Sequence, residues 1–340
     1  MTHNMQQEGL ISITGCIDAQ KPHMIYGVGN GRKNKIIVTF HEQKAKELYE
    51  DYRFFDPAVV YYPAKDVLFY QSDIRGNLLT AERIQALRAI HEQDEVTVIT
   101  TFDALMNTMA PAKQLWDSIC RIAPEDTIDL EQMKDLLVCM GYEKEYQVES
   151  MGQFAIRGGI LDIFPLTEDN PVRIEMWGDE VDTIRSFDVE SQKSIENLDE
   201  VLIYPACELV LTEAAKRAGI EKLLKEAESF SKKLRKEMKT EEAHRALSQA
   251  QELAEEWGEL AVTAGMDAFL SYFCEERVGL LDYFDPKETY LFIDELFFSS
   301  SAPLRSEYGF LFKSLFKEST LYWKVEECVA YSLRVFLMPL

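Results

Sequence analysis

The first residues in this chain that could do chemistry are Asp294 and Glu295, an acidic pair after the apolar run Leu291-Phe-Ile293. Carboxylates at the end of a buried strand are where phosphoryl-transfer enzymes hold magnesium, with substrate phosphates as co-ligands. Such a pair needs a phosphate loop. The nearest approach is Gly27-Val-Gly-Asn-Gly31-Arg-Lys-Asn34, but Arg32 stands where a second glycine is required and Asn34 where a hydroxyl is required, and a strand pattern follows instead of a helix. The segment is expected to be a flexible turn, and the acidic pair a strand end with no nucleotide to act on. ATP hydrolysis by a helicase or translocase fragment, using Gly27 to Lys33 with Asp294-Glu295, is the alternative. His3, His23, His41, His91 and His244 lie far apart, and the six cysteines form no C-x-x-C pair. Neither a metal site nor a disulfide framework is suggested, and no cofactor is expected.

A different chemistry, that of docking, is offered by Arg157, Arg173 and Trp177. Period-two reading of Val172-Arg-Ile-Glu-Met-Trp177 sends Val172, Ile174 and Met176 to one face of a strand, and Arg173, Glu175 and Trp177 to the other. A sheet that buries the first set shows the second to solvent or to a partner, and Arg and Trp supply much of the energy at protein interfaces. In the bland alternative, Trp177 covers the sheet's second face against helices while Arg173 pairs with Glu175 or Asp179.

The elements that must position these residues fall into blocks. Lys35 to Phe40, Ala58 to Tyr62 and Val96 to Thr100 read as strands. They alternate with helices at Glu42 to Arg53, at Thr80 to His91 and after Thr101, with Thr101 or Asp103 as cap, which implies a parallel sheet. Asp129 to Met140 reads as a short amphipathic helix ended by Gly141. Strand-like segments follow at about 144–150, 153–157, 160–164, 171–177 and 181–187, an antiparallel α+β pattern, with a further strand at 197–205. Thr212 to Glu259, rich in Glu, Lys, Ala and Leu, reads as a helical hairpin, and Met266 to Phe273 continues helical. Leu280 to Phe284 and Tyr290 to Glu295 return to strand patterning. Expected domains are therefore 1–125, 126–210, 211–295 and a tail at 296–340.

The tail holds no Asp and ten aromatic residues, and carries +1 where residues 1–295 carry −24. Over the whole chain the net charge is −23, which argues against holding nucleic acid by bulk electrostatics and leaves any DNA contact to a local patch or a partner. No apolar run approaches the ~20 residues needed to span a bilayer, and the start lacks the pattern of a signal peptide, so a cytoplasmic location without membrane association is expected.

Phe154-Ala-Ile-Arg-Gly-Gly-Ile-Leu-Asp-Ile-Phe-Pro165, with Arg173-Ile-Glu-Met-Trp-Gly-Asp-Glu180 and Phe187-Asp, resembles the Mfd family of bacterial transcription-repair coupling factors and is similar to a module of the UvrB repair protein. Tyr61-Tyr-Pro-Ala-Lys-Asp66 and Tyr204-Pro-Ala-Cys-Glu208 extend the likeness, to about residues 10–295. The resemblance implies a degenerate helicase-like parallel sheet domain split by an inserted antiparallel α+β domain that binds UvrA. The family's contact positions fall on Arg157, Arg173 and Trp177, with Glu175 on the same face. It also implies a non-catalytic module, since the family's ATP-driven translocase and RNA-polymerase-binding domain lie outside the region that matches; RNA polymerase and DNA are partners of the longer family members. Leu296-Phe-Phe-Ser-Ser-Ser departs from the family's Pro and charged helix after the acidic pair, so the tail is expected to be disordered or the product of a truncated or frame-shifted gene. A decayed fragment without function is the remaining alternative.

Overall fold

Buried β-branched segments alternate with helices at both ends of the chain, and this periodicity builds the first of its sheets. The structure is a computed structural model that describes residues 11–13, 16–65, 73–259, 266, 269–294 and 335–339. After β1 (Ile11–Ile13), helix α1 (Lys21–Gly29) starts with Pro22 in its first turn, where the missing N–H is no loss. Strand β2 (Asn34–Thr39) is buried from Lys35 onward. Helix α2 (Glu42–Tyr52) turns Ala45, Leu48 and Tyr52 inward, and β3 (Val59–Tyr62), α3 (Asp73–Glu92) and β4 (Thr97–Thr101) follow. Thr101 closes β4 and caps α4 (Phe102–Met106), its hydroxyl accepting a bond from the Ala104 N–H at 3.2 Å.

The middle of the chain changes pattern. Helix α5 (Ala112–Trp116) and β5 (Cys120–Ile122) lead to α6 (Leu130–Cys139), whose N-cap Asp129 accepts from the Glu131 and Gln132 N–H groups. Gly141, at φ +86°, ends that helix in the left-handed region. Then come β6 (Glu143–Lys144), β7 (Gln153–Arg157), β8 (Ile160–Ile163), β9 (Val172–Trp177), β10 (Glu180–Phe187), β11 (Ser194–Asn197) and β12 (Val201–Ile203). Helices α7 (Glu213–Lys236), α8 (Thr240–Glu259) and α9 (Leu270–Phe273) precede β13 (Thr289–Asp294) and β14 (Val335–Pro339).

The described residues group into two compact units, one drawn from within 1–67, 89–107 and 279–340, the other from within 68–88 and 108–278. In the first unit a six-stranded sheet has the order β1-β14-β13-β2-β4-β3. Its four strands β13, β2, β4 and β3 are parallel, while β14 pairs antiparallel with β13 and β1. Ile25, Ile37, Tyr52, Tyr61, Ile99 and Phe292 form part of the core on one side of it.

In the second unit a six-stranded sheet has the order β11-β10-β9-β8-β7-β6, antiparallel apart from the short β6–β7 pair. Its inner face, Phe154, Leu161, Ile163, Val172, Ile174 and Val181 among others, packs with Met133 and Leu137 of α6. The small β5–β12 sheet joins the same core through Ile122, Val201 and Ile203. Tyr142 is sealed into it with its hydroxyl donating to the Tyr204 carbonyl at 2.6 Å, and burial pushes its pKa up. The α7–α8 pair packs through Leu223, Ala250 and Trp257 onto Leu209, Leu211 and Leu270, with Gly219 letting α7 close onto the Phe273 ring.

A mixed α/β chain with a parallel sheet interrupted by an antiparallel α+β module is therefore what the sequence pattern expected. Several local expectations need correction. The strand expected at 144–150 shortens to β6, because residues 146–152 fold over the sheet and Val148 packs with Ala155 and Phe164. Residues 280–283 form a 3-10 turn capped by the Asp282 carboxylate on the Gly279 N–H, not a strand. Gly27 and Gly29 lie within α1, a helix that the glycine content masked. Of the tail, 335–339 form β14; its other residues lie outside the described set.

Within the second unit, Arg83 of α3 and Glu208 are both buried and bonded through two guanidinium nitrogens, Nη2 to Oε2 at 3.1 Å. Removing one partner of a buried ion pair costs about 3–5 kcal/mol, since it strands the other charge. Glu208→Ala is thus expected to lower the unfolding free energy by about that much in urea denaturation, with a smaller loss for an exposed pair such as Arg121–Glu200.

Candidate functional site

The antiparallel sheet has one buried face and one charged face. Register places Asp162 directly across from Arg173, and Arg157 across from Ile160, which in turn faces Glu175. Cross-strand and diagonal neighbours lie within reach of long side chains, so these outward residues form a connected layer. Asp162 is only 1% exposed. It accepts from Arg173 Nε at 2.7 Å and Nη2 at 2.8 Å, a two-point grip, and from Arg157 Nη2 at 2.5 Å.

Arg173 is held on further sides. Its Nη2 also donates to Gln192 Oε1 at 3.1 Å, and its guanidinium lies 4.4 Å from the centroid of the buried Phe187 ring. The Asp162 carboxylate beside it raises its pKa further. Gln192 sits at φ +58°, a left-handed conformation that its amide bond to the Val189 carbonyl helps to hold. Glu175 is bonded to Arg185 and receives the Thr183 hydroxyl at 3.3 Å. Three guanidinium groups against two carboxylates leave this layer at +1, within a chain of −23.

Both turns flanking the layer depend on glycine. Gly158 adopts φ +62° at the β7–β8 turn, and Gly159 approaches Met176 so closely that a Cβ would meet its carbonyl oxygen at 3.1 Å. Gly178, at φ +65°, follows Trp177 at the end of β9. Trp177 continues the outward row beyond Glu175 and is 85% exposed. The other end of the same face is closed by Val148, Ala155 and Phe164 with Met151 and Val189. What stays open is the part bearing Arg157, Glu175 and Trp177.

The structure therefore brings the four sequence-derived residues onto one face, with Val172 and Ile174 on the opposite, buried one. The bland alternative does not hold in two details. Arg173 pairs with Asp162 instead of Glu175 or Asp179, because the β8–β9 register sets Asp162 opposite it. Trp177 does not cover the sheet. Asp162, Arg185, Phe187 and Gln192 were missed, although Ile-Leu-Asp-Ile already signals a carboxylate facing away from a strand's buried side.

The phosphoryl-transfer candidates take other roles. Asp294 is buried and lies 2.8 Å from Nζ of the equally buried Lys21, whose ammonium also meets Asp18 at 2.8 Å. Hydrogen bonds from Lys21 and Lys44 hold the Asp18 pKa down to about 2. Glu295 lies outside the described residues. Arg32 donates to the carbonyls of Pro286 and Thr289, at 2.6 and 3.0 Å, and Lys33 pairs with Glu288, so this turn is tied to the approach to β13. Among the described residues no group of three or more His, Cys, Asp or Glu is placed to hold a metal ion.

Residues 120–209, which contain the whole charged face, match the family model of the UvrB interaction domain, and this module belongs to that class. Over a longer span the chain is similar to the transcription-repair-coupling factor of Bacillus subtilis (strain 168), 33% identical over 241 residues that make up 71% of this chain and 20% of that protein. It is similar also to the coupling factor of Staphylococcus aureus (strain Mu50 / ATCC 700699), 32% over 234 residues, 67% of this chain and 20% of the relative. UvrABC system protein B of Thermosipho africanus (strain TCF52B) is 30% identical over 262 residues, 75% of this chain and 39% of that protein. The chain thus carries the UvrB-like region that coupling factors and UvrB have in common, and spans about a fifth of the coupling factors' length.

Asp162→Ala is expected to strand two guanidinium groups and lower stability by about 2–4 kcal/mol in chemical denaturation. Trp177→Ala, made at an 85% exposed position, is expected to stay within about 0.5 kcal/mol of the parent.

Proposed function

We propose that this chain is a non-catalytic docking module that recruits UvrA in nucleotide excision repair, serving transcription-coupled repair within a coupling-factor assembly. The observation that carries the reading is the Arg157–Asp162–Arg173 layer with Trp177 standing free beside it, inside the segment that matches the UvrB interaction domain. A buried carboxylate that fixes two guanidinium groups lowers the entropy lost when a partner binds them, and an exposed Trp next to them is the kind of anchor that dominates interfaces. Arg157, 35% exposed, and Trp177 take the direct contacts; Arg173, 15% exposed, contributes through its open edge, and Glu175 aligns Arg185.

In this role the chain makes and breaks no covalent bond. Lys21 forms an ion pair with Asp294 at 2.8 Å at the strand end where an ATPase would hold its metal. RNA polymerase and DNA enter the proposal as partners of the longer assembly, with the cytoplasm as its compartment. Among the described residues no helix is long and apolar enough to cross a membrane.

Calorimetric titration of the chain with purified UvrA tests the proposal. Trp177→Ala and Arg157→Ala are each expected to weaken binding by about thirtyfold, equivalent to about 2 kcal/mol, while the thermal midpoint of the Trp177 variant stays at the parent value. Arg173→Ala is a poorer probe, because it also strips Asp162 of its two-point partner. A folded parent with no measurable UvrA affinity, or a Trp177 variant that binds as tightly as the parent, would overturn the assignment.

A further inference from the structure

The turn between α1 and β2 holds Asn30-Gly31, a pair that the docking role leaves unused. Asparagine is among the chemically labile residues of proteins, because the backbone nitrogen of the next residue can attack its side-chain carbonyl carbon. Ring closure needs that nitrogen unobstructed by a Cβ, both reacting groups out of hydrogen bonds, and rotation of the bond between them. Asn30 and Gly31 are both exposed. Among the described residues neither the Asn30 side-chain amide nor the Gly31 N–H has a hydrogen-bond partner. The other asparagines each lack a requirement. Asn34 Oδ1 accepts from the Val96 N–H at 3.3 Å, and Asn107 Oδ1 from the Lys65 N–H at 3.0 Å. Asn170 precedes Pro171, which has no N–H, and Asn4, Asn77 and Asn197 precede the bulky Met5, Leu78 and Leu198.

Packing explains why the glycine is there. A Cβ at Gly31 would meet the Tyr290 hydroxyl at 2.8 Å, so the approach of the turn to β13 requires the same residue that makes Asn30 reactive. The turn also carries a restraint. Asn30 sits at φ −70° and ψ 7°, which points the Gly31 nitrogen away from the Asn30 side chain. Bringing that nitrogen to Cγ takes a rotation that moves Arg32 with it. Arg32 is tied to the Pro286 and Thr289 carbonyls at 2.6 and 3.0 Å, and its guanidinium lies 4.9 Å from the Tyr290 ring centroid. The reactive geometry is therefore reached when those bonds open, and the rate of an intramolecular attack depends steeply on such geometry.

We infer that Asn30 is a site of spontaneous deamidation whose rate in the folded chain is set by the Arg32 anchor. Gly31 N bonds to Asn30 Cγ as the Cγ–Nδ2 bond breaks, and the Gly31 N–H proton passes through solvent to Nδ2, which leaves as ammonia. Water then opens the succinimide by adding to one of its two carbonyls. Opening at the main-chain carbonyl leaves isoaspartate, and opening at Cγ leaves aspartate. No electrons are exchanged, and water is the only co-reactant. Either product places a carboxylate at the C-terminus of α1, where the helix dipole disfavours negative charge, and isoaspartate adds a methylene to the main chain ahead of β2. The site shares no residue with the charged face and stands or falls separately from UvrA docking.

Incubation of the full chain in water labelled with heavy oxygen, at neutral and at mildly alkaline pH, followed by peptide mass spectrometry, tests it. The peptide containing Asn30 is expected to take up labelled oxygen ahead of every other asparagine peptide. Uptake is faster at the higher pH, because the attacking nitrogen must lose its proton. Arg32→Ala is expected to accelerate conversion at least about fivefold, since two hydrogen bonds no longer resist the rotation. Arg32→Lys, with a single donor group, accelerates it less, and Asn30→Gln, whose longer side chain closes a larger ring, abolishes the signal. The converted parent is expected to unfold at a lower temperature than the fresh one, with no such change in Asn30→Gln after the same incubation. No labelled product at Asn30 in the folded chain after several weeks, or conversion of Asn34 or Asn107 at the same rate, would overturn the site. Arg32 variants that stay folded and deamidate at the parental rate would overturn the restraint.

Discussion

A carboxylate with almost no access to water, Asp162, organises the charged face of the second unit. Such burial of a carboxyl group is tolerable only because Arg173 grips it at two points and Arg157 at a third. The requirement runs outward from there. Phe187 and Gln192 cover much of the remaining surface of Arg173, and Gln192 itself sits in a left-handed backbone conformation. Arg157 needs β7 to end where it does, which the Gly158-Gly159 turn arranges. The outward guanidinium pair is thus part of the fold's own electrostatics before any partner arrives.

The inner face makes that arrangement affordable. Phe154, Leu161, Ile163, Val172, Ile174 and Val181 bury the sheet against α6, and the apolar area removed from water, at roughly 25 cal/mol per Å², holds the strands in one register. A slip by one residue would send Asp162 inward and Leu161 outward. Apolar alternation and the ion layer therefore enforce the same pairing, which is how a thin sheet can carry charged side chains at fixed spacing.

The first unit solves its electrostatics in a comparable way. Parallel strands place their C-terminal ends, and the start of α1, where α/β proteins commonly receive ligands. Here Lys21 and Asp294 are both buried and face one another at 2.8 Å, with Asp18 bracing the lysine. This ion pair ties the start of α1 to the end of β13, and the sheet is extended by the antiparallel pairing of β14.

What could be read from residue order was whatever period and local chemistry control. The alternation in Val172–Trp177 separates the buried from the outward residues without reference to any other strand, Thr101 and Asp129 announce the helices they cap, and Gly141 announces an end. Helix α1 was hidden because Gly27 and Gly29 lower local propensity and only packing of Ile25 onto the sheet restores it. Local pattern likewise read a strand in 280–284, where a side-chain bond from Asp282 wins. The partner of Arg173 could not be read at all: choosing Asp162 over the nearer Glu175 and Asp179 depends on which strand lies beside β9 and in what register. The sequence by itself determined which side chains share a face, because that follows from the geometry of one strand. Which charge meets which, and which residue is left open to a partner, was decided only by tertiary structure, because it depends on pairings between segments that residue order does not specify.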